Sequence, residues 1–97
     1  MKQNPSEKQW QELSKEHETT LIKFLDDYAY EHQMGWSHAC NIGNMIAFLD
    51  EDIAFIEWNY SPHQPKIRLI SGTTVKDNNL CDALWEAVKF KLNNNET

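Results

Sequence analysis

Met45–Tyr60, MIAFLDEDIAFIEWNY, is the stretch on which the architecture of this sequence turns. Two apolar runs, Met45–Leu49 and Ile53–Tyr60, flank Asp50-Glu51-Asp52, an interruption of the length a β-hairpin loop needs. A hairpin at the centre of a small antiparallel sheet is therefore expected. Side chains alternate along a strand, so Ala54, Ile56, Trp58 and Tyr60 share one face of the second run, and Phe55, Glu57 and Asn59 the other. The first set is apolar and is expected to be buried. The loop itself is entirely acidic, and no other part of the sequence points as far toward function.

Working outward on the C-terminal side, Ser61-Pro62-His63-Gln64-Pro65 is expected to be irregular because of its two prolines. Lys66–Ser71 then reads as a third strand, with Arg68 placed to pair with Glu57 across the polar face. A loop from Gly72 to Asn79 leads into a last helix, with Asn78 or Asn79 as N-cap and Asp82 in the first turn, where the helix dipole favours an acid. Leu80, Cys81, Leu84, Trp85, Val88 and Leu92 give this helix a wide apolar face.

On the N-terminal side, SHACNIGN at Ser37–Asn44 has turn chemistry, and Met34-Gly35-Trp36 suits a helix end, with Gly35 in the left-handed position. Before it, Ser6 and Gln9 form a capping box, and Trp10, Leu13, His17, Leu21, Phe24, Leu25, Tyr28 and His32 follow at spacings of three and four. One helix from about residue 6 to about residue 34 is expected. At 1.5 Å per residue it would span ~42 Å, while a compact chain of this size has a radius of gyration near ~12.5 Å. Either its first turns overhang, exposing Trp10, Leu13 and His17 to a second copy or a partner, or the helix breaks near Thr19-Thr20, or the chain ends cover it.

The sum is a single α+β domain over residues 1–97, ordered α-β-β-β-α: a three-stranded antiparallel meander packed against two helices. Residues 1–5 and 93–97 are expected to be disordered. No run approaches the roughly 18 apolar residues of a membrane span, and MKQNPSEKQW has no apolar block of a signal peptide, so the compartment expected is the cytoplasm. There Cys40 and Cys81 read as small buried hydrophobes rather than a disulfide.

Charge carries more information. The net charge is −6, and between Lys23 and Lys66 the chain has no Lys or Arg but seven acids: Asp26, Asp27, Glu31, Asp50, Glu51, Asp52 and Glu57. Such a segment is a poor partner for nucleic acid or an anionic membrane, whose binding rests on Lys and Arg, and a better one for a basic protein. Catalytic and metal constellations are not evident. His38-x-Cys40 with His32, His63 and Cys81 supplies zinc-ligand types, but without a C-x-x-C or H-x₃-H anchor, so no metal and no cofactor are expected. A Cys40 nucleophile lacks a thiolate-stabilising environment, the acidic loop lacks EF-hand spacing, and three glycines cannot supply a phosphate loop.

In size and acidity the chain resembles the immunity proteins of toxin systems and the small inhibitors that phages direct at host nucleases. That is a likeness of type, resting on no motif. It implies a binding protein, not an enzyme, that docks on a basic protein such as a nucleic-acid-processing enzyme and inhibits it. Asp50, Glu51 and Asp52 at the loop tip would lead, with Glu57, Asp26, Asp27 and Glu31 around them and Trp36 and Phe55 as aromatic anchors. An oligomeric accessory protein using Trp10, Leu13 and His17 is the alternative, and a Cys/His metal or redox protein a minor third.

Overall fold

A computed structural model describes residues 2–60 and 63–94, the side chains of residues 58–60 and 63 excepted. The described residues form helices α1 (Glu7–Trp10), α2 (Lys15–Glu31), α3 (Trp36–Ala39) and α4 (Ile42–Leu49), then strands β1 (Ile53–Tyr60), β2 (His63–Leu69) and β3 (Thr74–Lys76), and finally helix α5 (Leu80–Asn94). The sheet is antiparallel in the order β1-β2-β3. The α+β class and the three-stranded meander are as expected, but the strands that compose it are shifted by one along the chain.

The shift comes from Met45–Leu49, which is helical. Asn41 caps α4, its Oδ1 accepting from the Asn44 N–H at 2.9 Å. Met45, Phe48 and Leu49 are buried while Ile46 and Ala47 face outward, a period of 3.6 and not 2. Asp50-Glu51-Asp52 is accordingly a 3-10 turn between α4 and β1, not a hairpin tip. The hairpin instead joins β1 to β2, with residues 61–62 of its loop outside the described residues. β2 begins earlier than expected and includes Pro65. β3 reaches only Lys66–Arg68, so at Pro65 that side of β2 has no strand to pair with among the described residues.

The expected long helix is two. Ser14 caps α2, accepting from the His17 N–H at 3.2 Å, and residues 11–14 turn the chain. Glu12 in this link accepts from Trp85 Nε1 and from Lys89 Nζ, both at 3.0 Å, fastening the break to α5. There is consequently no overhang: α2 alone spans ~26 Å, within overall dimensions of 38 × 34 × 23 Å. Trp10 is only 6% exposed, Leu13 packs against the core and His17 is buried. Lys2–Pro5 also make contacts with the rest of the chain. Asn4 Nδ2 donates to the Cys40 carbonyl at 3.0 Å, Pro5 is buried, and Lys2 pairs with Asp82 at 2.7 Å.

α5 is the centre of the core. Cys81, Leu84, Trp85, Val88 and Leu92 are buried, and so are Ala83 and Ala87 beside them, whose small side chains let a second layer approach. β2 and β3 pack on one side of α5 and α4 on another, while Phe24 of α2 meets Phe48 of α4 edge-on at 5.1 Å. Ile56 sits opposite Ile67, which in turn sits opposite Val75, on the face turned to α5. A register shift between Ile53 and Phe55 leaves Ala54 exposed, correcting its place among the buried residues.

Candidate partner-binding surface

The end of α2 is built around a residue in the left-handed conformation. Gln33, at φ 51, occupies it, so that the Met34 N–H reaches the Ala29 carbonyl at 2.9 Å and the Gln33 N–H the Tyr30 carbonyl at 3.2 Å, a Schellman closure. Gly35, expected in that position, instead has φ −70 and caps α3. The reversal folds Trp36 back toward α2. Tyr30 (86% exposed), Met34 (37%) and Trp36 (40%) thereby come together with Asp26 and Glu31 around a shallow depression of about 710 Å³.

This surface joins apolar anchors to uncompensated charge. Asp26, Asp27 and Glu31 are exposed and form no salt bridge among the described residues. They lie toward the C-terminal end of α2, where the helix dipole is negative and where the last turn contains no basic residue. Asp27 and Glu31 are also four residues apart, an unfavourable like-charge spacing. Acids, aromatics and dipole thus all present negative potential and desolvatable surface at one place.

Of the residues marked in the sequence, Asp26, Glu31 and Trp36 meet at this depression, and Asp27 is their neighbour on α2. The others do not join them. Asp50 and Glu51 are exposed in the 3-10 turn, whose first residue has φ 41, a conformation that L-residues adopt only under strain. Asp52 is drawn to α5 by Lys91 at 2.9 Å, the same ammonium donating to the Phe48 carbonyl at 2.6 Å. Phe55 and Glu57 lie on the outer face of the sheet among cations: Glu57 opposite Lys66, and Phe55 opposite Arg68, whose guanidinium sits 5.7 Å over the ring. Glu57 was expected to face Arg68; the register places Lys66 there.

Tyr30 and Met34 were not marked by sequence reasoning. A signal existed for Tyr30, which falls off the Leu21, Leu25, Ala29 stripe and stands between Asp26 and Glu31, an aromatic on a polar face. Met34 depends on the Schellman turn and had none.

Trp36 also lines a second depression, of about 430 Å³, with Asn4, Pro5, Glu7, Trp10, Ser37 and His38. Trp10 contacts Trp36 edge-on at 4.8 Å and Trp85 at 5.4 Å, and its buried Nε1 has no hydrogen-bond partner among the described residues.

Among the described residues no group of three or more His, Cys, Asp and Glu side chains is arranged to hold a metal ion. Cys40 and Cys81 are free and buried; burial pushes the Cys40 thiol up to about 12 and also raises Cys81. Neither is a ready thiolate. No helix among the described residues is long and apolar enough to cross a membrane. No family model, curated protein or solved structure matches this chain.

Proposed function

We propose that this protein is a small acidic binding module that docks on a basic protein partner and blocks it, with the α2–α3 end as its contact surface. The juxtaposition that carries the proposal is Tyr30, Met34 and Trp36, exposed together, beside Asp26 and Glu31, which form no salt bridge among the described residues. Hot spots of protein interfaces are aromatic residues that can be desolvated, ringed by polar groups that set orientation. Negative charge at the rim raises the rate of encounter with a basic partner, and the net charge of −6 extends the attraction to about a Debye length, ~8 Å at physiological salt. The 3-10 turn is second in rank as a contact, since Asp52 is engaged by Lys91. Inhibition, the part suggested by likeness to immunity proteins and phage inhibitors, follows if the basic partner surface is a substrate groove.

The experiment is comparative capture from the native host. Wild type, a patch variant (Asp26→Asn, Glu31→Gln, Trp36→Ala) and a turn variant (Asp50→Asn, Glu51→Gln) are immobilised, and bound proteins are eluted with salt. A basic protein retained by wild type and the turn variant but lost from the patch variant is expected, and its own activity should fall when the wild type is added. Equal retention by the patch variant would overturn the assignment.

A further inference from the structure

Trp36 is a wall shared by two depressions, the acidic one with Asp26 and Glu31 and the groove with Glu7 and Trp10. We infer that the basic partner enters as an extended segment that straddles Trp36, with one cationic side chain on each side of it; this rests on the docking function proposed above.

The two sides offer the same chemistry in different proportions. On the α2 side a cation meets Asp26 and Glu31 beside Tyr30. On the α1 side it meets Glu7, which is exposed, in the first turn of α1 and without a salt bridge among the described residues. Indole is the best of the aromatic faces for a cation, and a guanidinium can stack on it while its edge bonds a carboxylate. Alternate residues of an extended chain lie roughly 6.5 Å apart on one face, which spaces two arginines across one ring. The expected motif is therefore Arg-x-Arg, arginine being preferred to lysine for its stacking and its planar donors.

The test uses the whole chain and acetyl-Gly-Arg-Gly-Arg-Gly-amide, with its citrulline counterpart as the neutral control. Indole N–H resonances are followed by NMR and assigned through Trp10→Phe and Trp36→Phe. Both indoles should shift with the arginine peptide and not with citrulline. Glu7→Gln and the pair Asp26→Asn with Glu31→Gln should each weaken binding by about threefold, as exposed ion pairs do, the α2 pair at unchanged or better melting behaviour and Glu7→Gln, which removes an acid from the first turn of α1, at unchanged or slightly poorer. The turn pair Asp50→Asn with Glu51→Gln, which removes as much charge as the α2 pair, should leave it unchanged. If the α2 pair matters while Glu7→Gln and the Trp10 resonance are silent, the straddling segment is refuted and the docking surface stands. If the α2 pair is no more sensitive than the turn pair, both fall.

Discussion

Replacing Glu31 with Lys should make the protein more stable while it destroys partner binding, and this is the sharpest consequence of the charge placement at the end of α2. Glu31 is the last residue of the helix, whose final turn has no basic residue, and it stands four residues from Asp27. A charge of the wrong sign there costs about 0.3–1 kcal/mol against the dipole, and the right sign gains a similar amount. Converting the Asp27 and Glu31 repulsion to an acid–Lys pair in the favourable orientation adds about 0.4–1 kcal/mol. Since the site is exposed, the low end of these ranges applies, about 1 kcal/mol in total. For a domain of this size that raises the melting temperature by about 4–8 °C. Thermal unfolding followed by circular dichroism at low and high salt reads it, and salt should shrink the gain. A melting temperature unchanged or lowered at low salt would refute the reasoning, since the acids would then serve the fold and not a partner.

Other outcomes follow from the same structure. Gln33→Gly should stabilise by about 0.5–1 kcal/mol in urea unfolding, because a non-glycine residue at φ 51 costs about 1–2 kcal/mol, partly offset by glycine's unfolded entropy. Trp85→Phe should cost more than Trp10→Phe in the same assay: the first removes the hydrogen bond from the Trp85 N–H to the Glu12 carboxylate, which keeps Lys89, whereas the second removes a donor that has no partner among the described residues. Hydrogen bonds from Trp85 and Lys89 hold Glu12 below its ordinary pKa of 4.5, and at Asp82 those from Lys2, Gln9 and Asn79 outweigh burial to hold it below 3.8. Depressed carboxylates contribute stability that is full above their unfolded pKa and is lost as pH falls through the folded one, so Glu12→Gln should cost stability at pH 7 and progressively less below pH 4.5. At Lys89 burial lowers the pKa, but bonds to Glu12 and Glu86 raise it past 10.5, so that contribution persists below 10.5 and fades only at higher pH.

The α+β class, the last helix and its Asn79 cap, and the inward side of β1 at Ile56 were legible because each rests on local patterning that tertiary contacts reinforce. Met45–Leu49 was not, since a five-residue run apolar at every position has no period to read. The decisive residue was Asn41, whose cap makes a helix of what otherwise looks like a strand. The break in the first helix was hidden in the same way: Leu13, His17 and Leu21 continue the four-residue spacing straight through it, and only Ser14 marks the restart. At the proposed binding surface the single-sign charge of the middle segment was visible, but which of its acids stand beside exposed aromatics was not. The turn at Gln33 brings Met34 and Trp36 to the α2 acids, and Lys91, 39 residues from Asp52, pairs with that acid, whereas Asp26, Asp27 and Glu31 form no salt bridge among the described residues.

The central claim, that the α2–α3 end is the docking surface, is tested most directly by stopped-flow association with the captured basic partner. Wild type, the Asp26→Asn/Glu31→Gln pair and the Asp50→Asn/Glu51→Gln pair are compared at low and high salt. The two pairs remove equal charge, so a difference between them reports position alone. The α2 pair should slow association at low salt, with the gap from wild type closing as salt rises, while the turn pair stays close to wild type. Slower association of the turn pair with an unaffected α2 pair would contradict the claim.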